Sequence, residues 1–162
     1  MIWTPHVTVA AIIERKGHHL LVEELSEGSV VLNQPAGHLD PGESLLDAVV
    51  REVWEETGRI FTPEHLVGVY LWEHPDGETF LRVAFCGEVG ERLPASTLDE
   101  GILDARWFST EEVDALHARH RSPLVARCIA DHRDGLRLPL ETLHRLAPDG
   151  RSLPAIAFAG RP

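Results

Sequence analysis

The sequence predicts an α/β (α+β) fold, a sandwich built on a mixed β-sheet, and three observations predict it. Apolar alternation with β-branched enrichment marks strands through much of the first half of the chain. Three segments carry helix start signals instead. Strands and helices follow one another without the regular βαβ alternation of a parallel fold.

Taken in order, strands are expected at about His6 to Glu14 and His18 to Leu25, joined by a turn at Gly17, with a short apolar run at Val30 to Leu32. The first helix runs from about Leu45 to Thr57: Ser44 and Asp47 form an N-terminal capping-box pattern and Gly58 supplies the C-terminal stop. Strands follow at His65 to Trp72 and Thr79 to Val89, connected through Pro75-Asp76-Gly77, with a further piece at Asp104 to Phe108. Ser109, with Glu112 three residues on, starts a second helix. Ser122-Pro123, a favoured cap and first-turn pair, starts a third that continues to about His132. Leu136 to Leu140 is a last strand piece. The segment from Ala147 to Pro162, rich in Pro, Gly and Ala, is expected to be a loosely attached tail, which leaves residues 1–146 as a single domain.

Composition narrows the function. A chain of 162 residues with 43% hydrophobic content suits one core. Its 26 acidic residues outnumber 15 basic ones, and the net charge of −11 would repel a phosphate backbone, so a polynucleotide partner is excluded. The longest apolar stretches, such as Val7 to Ile13, are too short to span a bilayer, and the N-terminus has no basic segment leading into a long apolar one. The protein is expected to be soluble and cytoplasmic, a monomer or homodimer, with no membrane partner. Cys86 and Cys128 lack any metal-ligand spacing and are read as reduced packing residues.

The first helix carries the chemistry. Leu46, Val49, Val50, Val53 and Thr57 recur at helical spacing and form its buried stripe. Away from that stripe, Glu52, Glu55 and Glu56 stand at i, i+3 and i+4, so three carboxylates share one patch. Like charges at that spacing cost the helix roughly 0.2–0.5 kcal/mol per pair, which solvent or a cation has to offset. Arg51 directly precedes the cluster, and upstream lies the glycine-punctuated loop Gly37-His38-Leu39-Asp40-Pro41-Gly42-Glu43. Together these residues read G-x5-E-x7-R-E-V-x-E-E-x-G from Gly37 to Gly58.

This pattern resembles the Nudix box, and fixed residues at fixed spacing make it a specific signal. One departure is Arg59, where the family usually has a hydrophobe directly after the last glycine. The resemblance implies an α/β/α sandwich and a hydrolase of phosphoanhydride bonds in small di- and triphosphates, dependent on Mg²⁺ with Mn²⁺ as a possible substitute. It implies Glu52, Glu55 and Glu56 as metal ligands, the backbone carbonyl of Gly37 as a further one, and Glu52 alternatively as base toward water. Glu43 and Arg51 are implied as a supporting pair, with phosphate contact an alternative for Arg51. Asp99 or Glu100 is where an extra acid, base or ligand is expected. The charge logic runs the same way: a diphosphate entering a carboxylate-lined site needs divalent cations between the two, and hard oxygen ligands suit Mg²⁺.

Segments outside the box, including His6 to Ala10, Asn33 to Leu39 and Arg121 to Ala126, resemble a phosphatase branch of that family. That likeness implies release of orthophosphate from hydroxymethylpyrimidine diphosphate, thiamine diphosphate and nucleoside di- and triphosphates. Candidate substrate residues are Trp72 and Phe80, which either stack on a ring or belong to the core. Arg82, on the opposite strand face from Leu81 and Val83, either reaches a phosphate or is a surface or salt-bridged arginine. His6 and His38 either donate to phosphate oxygens or have structural or solvent-exposed roles. Trp54 and Trp107 are read as packing residues. Two rivals stand beside this reading: internal cleavage of nucleoside diphosphate sugars, and a catalytically inactive Nudix-fold binding module. The loss of a ligand carboxylate that would mark the second is not seen, since all three glutamates are present.

Overall fold

The computed structural model describes residues 2–94 and 96–156. Two β-sheets form its centre. The larger combines β1 (His6–Ile12), β5 (Ala36–His38), β6 (Phe61–Glu73), β7 (Thr79–Val89) and β9 (Leu138–Pro139) in the order β5-β1-β7-β6-β9. It is mixed: β1 runs parallel to β7, while β5, β6 and β9 pair antiparallel with their neighbours. In the second sheet β3 (His18–Ser26) pairs antiparallel with β2 (Glu14–Arg15), β4 (Ser29–Asn33) and β8 (Ile102–Ser109).

The helices close the larger sheet from both sides. Helix α1 (Leu45–Thr57) lays Leu46, Val49 and Val53 on Val9, Val83 and Phe85. Helix α3 (Pro123–Arg133) lays Val125, Cys128 and Ile129 on the other face, against Ile12, Val67, Ala84 and Cys86. The arrangement is an α/β/α sandwich, and each fully buried aliphatic side chain contributes about 1.5–3 kcal/mol toward it. A short helix α2 (Thr110–Ala115) caps itself with the Ser109/Glu112 box. The two cysteines are free and buried in the α3 side of the core.

Register decides which residues meet. Because strand side chains alternate between faces, His6, Phe80 and Trp72 lie in one row across β1, β7 and β6. The next row on the same face holds His38, Thr8, Arg82 and Tyr70, and the one after it Ala36, Ala10, Ala84 and Gly68. Ala84 and Tyr70 pack on the α3 side, so all three rows face that side, away from α1.

Some elements differ from the sequence reading. Strand β6 begins at Phe61 and not at His65, because Pro63 sits where the register shifts, and a bulge tolerates the missing N–H. The Leu136 to Leu140 piece is a two-residue strand followed by a 3-10 turn at Leu140–Thr142. β10 (Arg145–Leu146) pairs with β11 (Ser152–Leu153), so a hairpin crosses residue 147, where the tail was expected to start. The end of that expected tail, 157–162, lies outside the described residues.

Candidate active site

Helix α1 begins at a full capping box. Ser44 Oγ accepts from the Asp47 amide at 3.0 Å, and Gly58 ends the helix at φ +65°, donating its amide to Trp54 O at 2.8 Å. With both ends fixed, the carboxylate face has a defined height and rotation. Arg51 organises it. Its Nε and Nη2 donate to Glu43 Oε1 and Oε2 at 2.6 and 3.0 Å, its Nη1 donates to Glu52 Oε1 and Glu55 Oε2 at 2.7 and 2.9 Å, and Nη2 also reaches His38 O at 3.0 Å. The guanidinium is therefore occupied on every edge. Its hydrogen bonds hold the Glu43 carboxyl below the usual carboxylate range.

Glu52 and Glu56 are buried, at 8% and 7% exposure, although they are the acidic face of an amphipathic helix. Burial raises both carboxyls. Glu52 is raised against the opposing pull of Arg51, while Glu56 is pushed up to about 9, with an amide bond from Ala36 at 2.9 Å working the other way. Glu24 and Asp99 add to the charge that raises Glu56.

Strand β5 is the seam between this platform and the opposite sheet face. A Cβ at Gly37 would stand 2.2 Å from the Glu52 carboxyl carbon, so the glutamate lies directly on the glycine backbone. Any side chain there would displace it. Ala36 and His38, on either side, point the other way, into a cavity of about 550 Å³ on the α3 side of the sheet.

That cavity gathers many of the residues singled out from the sequence. Trp72, Phe80, Arg82, His38 and Gly37 all line it. Trp72 and Phe80 are tilted 30° with centroids 5.7 Å apart. His6 stands behind them, stacked on Phe80 at 5.0 Å and edge-on to His38 at 5.4 Å. Arg82 is 7% exposed. Its Nη1 donates to Gln34 Oε1 at 3.1 Å, its Nε has no partner, and it joins no ion pair among the described residues. Gln34 is turned toward it because its own Nε2 donates to Val125 O at 2.8 Å. Burial lowers the Arg82 pKa, the direction expected of a cation without a paired anion.

Asp99 and Glu100 separate. The Asp99 amide donates to Glu55 O at 3.0 Å, which ties its loop to the carboxylate end of α1, while Glu100 is exposed in the turn that follows.

Further wall residues escaped the sequence reading. Glu24 is buried in the cavity wall and accepts from Arg121 Nη1 at 2.8 Å. Alternation along β3 puts Glu24 on the same side as the buried Leu20 and Val22, and the irregularity beside it, the extra residue Leu103, belongs to β8. Thr8 and Asn33 line the same wall, each with a buried, unpartnered oxygen. Asn33 and Arg121 stood in segments recognised as distinctive, with no role attached. Arg59, the departure from the family pattern, packs its guanidinium 5.8 Å from the Trp107 ring centroid and donates to Gly90 O at 3.0 Å, so the helix exit is covered by a cation on an aromatic face.

Among the described residues, no three acidic, histidine or cysteine groups stand together at metal-holding spacing. Arg51 draws Glu52 and Glu55 to itself, and Glu56 faces Ala36. The donors nevertheless suit a hard divalent cation: three carboxylates lie within two helical turns, two of them buried, beside a glycine backbone with no side chain in the way. A carboxyl kept protonated by burial becomes a ligand once a cation supplies the missing charge.

A carboxylate-bearing helix fed by a glycine-punctuated loop, mounted on an α/β/α sandwich, defines a Nudix hydrolase, and the NUDIX domain pattern matches residues 4–128; the chain belongs to that family. Nudix hydrolases generally use divalent metals. The chain is 44% identical over 140 residues to the phosphatase NudJ of Escherichia coli strain K12, covering 86% of this chain and 90% of the relative. It is also similar to the solved structure of a NUDIX hydrolase from Nitrosomonas europaea, with 51% identity and a TM-score of 0.86 over 88% of this chain and 97% of the other. A MutT NUDIX hydrolase from Burkholderia pseudomallei, at 20% identity, shares the fold with a TM-score of 0.68 over 80% of this chain and 98% of its own. No helix among the described residues is long and apolar enough to cross a membrane.

Proposed function

We propose that this hydrolase is a Mg²⁺-dependent phosphatase, with Mn²⁺ a possible substitute, which removes the terminal phosphate of small di- and triphosphates as orthophosphate. Its proposed substrates are hydroxymethylpyrimidine diphosphate, thiamine diphosphate and nucleoside di- and triphosphates. One observation carries the reading: a single cavity is lined by Gly37, on which Glu52 rests, by an aromatic pair, and by a buried arginine with no ion-pair partner among the described residues. Such a cavity offers one wall for a flat ring and another for anionic oxygens. The 44% identity to a protein named as a phosphatase supports the same choice.

In this reading Glu52, Glu55, Glu56 and the Gly37 carbonyl hold the metal, which neutralises charge on the diphosphate and lowers the pKa of a water molecule when bound. Arg51, saturated by Glu43, Glu52, Glu55 and His38, positions these carboxylates and has no free edge for phosphate. Arg82 donates to phosphate oxygens, His38 closes the β5 edge, and Trp72 with Phe80, backed by His6, carries the ring. Asp99, on the loop tied to Glu55, is the acid placed to act on the platform from outside α1.

The test is product analysis with hydroxymethylpyrimidine diphosphate, thiamine diphosphate, ATP and a uridine diphosphate sugar, each with and without Mg²⁺. Metal-dependent orthophosphate with a monophosphate or diphosphate product is expected. Two monophosphates from the sugar nucleotide, with no orthophosphate from the rest, would replace this substrate class with the other.

A further inference from the structure

We propose that Arg145 is a positioning residue for the metal-binding loop, and that the C-terminal hairpin bearing it is part of the working site. The inference rests on the metal reading above. The NUDIX domain pattern ends at residue 128, so the hairpin lies outside the matched domain. It nevertheless reaches back to the loop that feeds α1. Arg145 Nη2 donates to Gly42 O at 2.5 Å, across 103 residues of sequence. Its Nη1 stands 4.0 Å from Asp47 Oδ2, in the first turn of the same helix.

The hairpin is built to hold that arm still. Arg145 and Leu146 pair with Leu153 and Ser152, the Ala147 amide donates to Arg151 O at 2.8 Å, and Gly150 donates back to Ala147 O at 2.8 Å. The approach to it is fixed by packing: Leu140 and Leu143 sit on the α1 side of the core beside Leu39 and Leu45. Between hairpin and loop a cleft of about 140 Å³ is lined by Glu43, Ser44 and Leu46 from one side and His144, Arg145 and Ala155 from the other.

The loop residue that Arg145 touches connects to the carboxylates through Glu43 and Arg51. Gly42 is bonded to Glu43, and Glu43 takes both near edges of Arg51, whose third edge holds Glu52 and Glu55. Asp47 caps α1 through Ser44, so a displacement of Asp47 shifts the helix start. A single guanidinium thus holds the loop by a hydrogen bond and adds a longer-range charge contact to the start of the helix against which the loop is set. Without it the Gly42 carbonyl turns to water, the loop gains conformations, and binding a cation has to remove them. Groups that orient ligands from behind typically cost ten- to a hundredfold in metal affinity when removed.

The experiment compares wild type, Arg145→Ala and Arg145→Lys in two measurements: calorimetric Mg²⁺ binding to the free protein, and the Mg²⁺ concentration for half-maximal phosphate release. Arg145→Ala is expected to raise both by about tenfold while leaving the rate at saturating Mg²⁺ within about twofold, and Arg145→Lys to recover part of the loss. Wild-type Mg²⁺ affinity in Arg145→Ala, whatever its melting temperature, overturns the proposal and leaves the hairpin a purely structural strap. Hydrogen exchange on the unaltered protein removes any dependence on a variant folding. Mg²⁺ is expected to slow exchange both at 40–44 and at 145–153, because coupling between two sites is reciprocal. Slowing confined to 40–44 also overturns it. A wild type that binds no divalent cation fails at the earlier step, the metal reading itself.

Discussion

Arg51 closes a two-pronged fork on Glu43, Nε to Oε1 at 2.6 Å and Nη2 to Oε2 at 3.0 Å, across an eight-residue separation that joins the loop to the helix. The remaining Nη1 is shared by Glu52 and Glu55. A planar guanidinium can do this and an ammonium cannot, because the geometry needs several N–H vectors in one plane.

Glu43→Gln leaves one weak acceptor where the fork had two charged ones. Activity at limiting Mg²⁺ is expected to fall about ten- to a hundredfold, with the half-saturating Mg²⁺ concentration raised. Arg51→Lys is expected to behave the same way despite keeping the charge. Metal titrations of phosphate release check both, and a wild-type Mg²⁺ response from Arg51→Lys would show that charge alone suffices.

Glu56→Gln is expected to abolish Mg²⁺-dependent turnover and to leave the fold intact, since the amide matches the shape of the protonated acid. The pH dependence of stability carries a separate signal. The folded Glu56 carboxyl titrates at about 9, above its ordinary 4.5, so between those values the native state holds a proton that the unfolded state has released. Stability of the metal-free protein therefore falls as pH rises through that window. Denaturant titrations in chelator are expected to show a shallower pH slope in Glu56→Gln than in wild type, and identical slopes would falsify the buried, protonated state.

Arg82→Met is expected to lower kcat/KM for phosphorylated substrates about ten- to a hundredfold, the loss of one or two hydrogen bonds to a charged group. The same substitution is expected to raise the melting temperature, because it removes a buried cation that has no ion-pair partner among the described residues. Steady-state kinetics and calorimetry check the pair. Lower stability with unchanged kinetics would make Arg82 a structural residue.

Trp72→Ala is expected to raise KM for ring-bearing substrates about tenfold or more while sparing inorganic tripolyphosphate, which has no ring to stack. Equal losses on both kinds of substrate would assign the tryptophan to packing.

The sequence by itself determined the family, the fold class, the bounds of α1 and the identity of its cap residues. Those are local properties: the Ser44/Asp47 box, the Gly58 stop and the spacing of Glu52, Glu55 and Glu56 are each written within one or two helical turns, and a capped helix has few ways to realise them. Thr79–Val89 was legible for a similar reason, as an unbroken strand pattern between turn residues. Tertiary structure decided the rest. Trp72, Phe80 and Arg82 share a cavity with Gly37 because β1 runs parallel to β7 in one particular register, and pairing between distant strands leaves no mark on either strand alone. Glu24 continues the side of β3 that carries Leu20 and Val22, and only the assembly of the cavity around it makes that glutamate a wall residue. The burial of Glu52 and Glu56, and with it the raised Glu56 pKa, comes from packing against β5, so a helix face that looks solvated in sequence becomes the least solvated acidic surface of the site. Arg145 meets Gly42 only because the chain returns to the loop after 103 residues, a contact that chain closure makes and local pattern cannot contain.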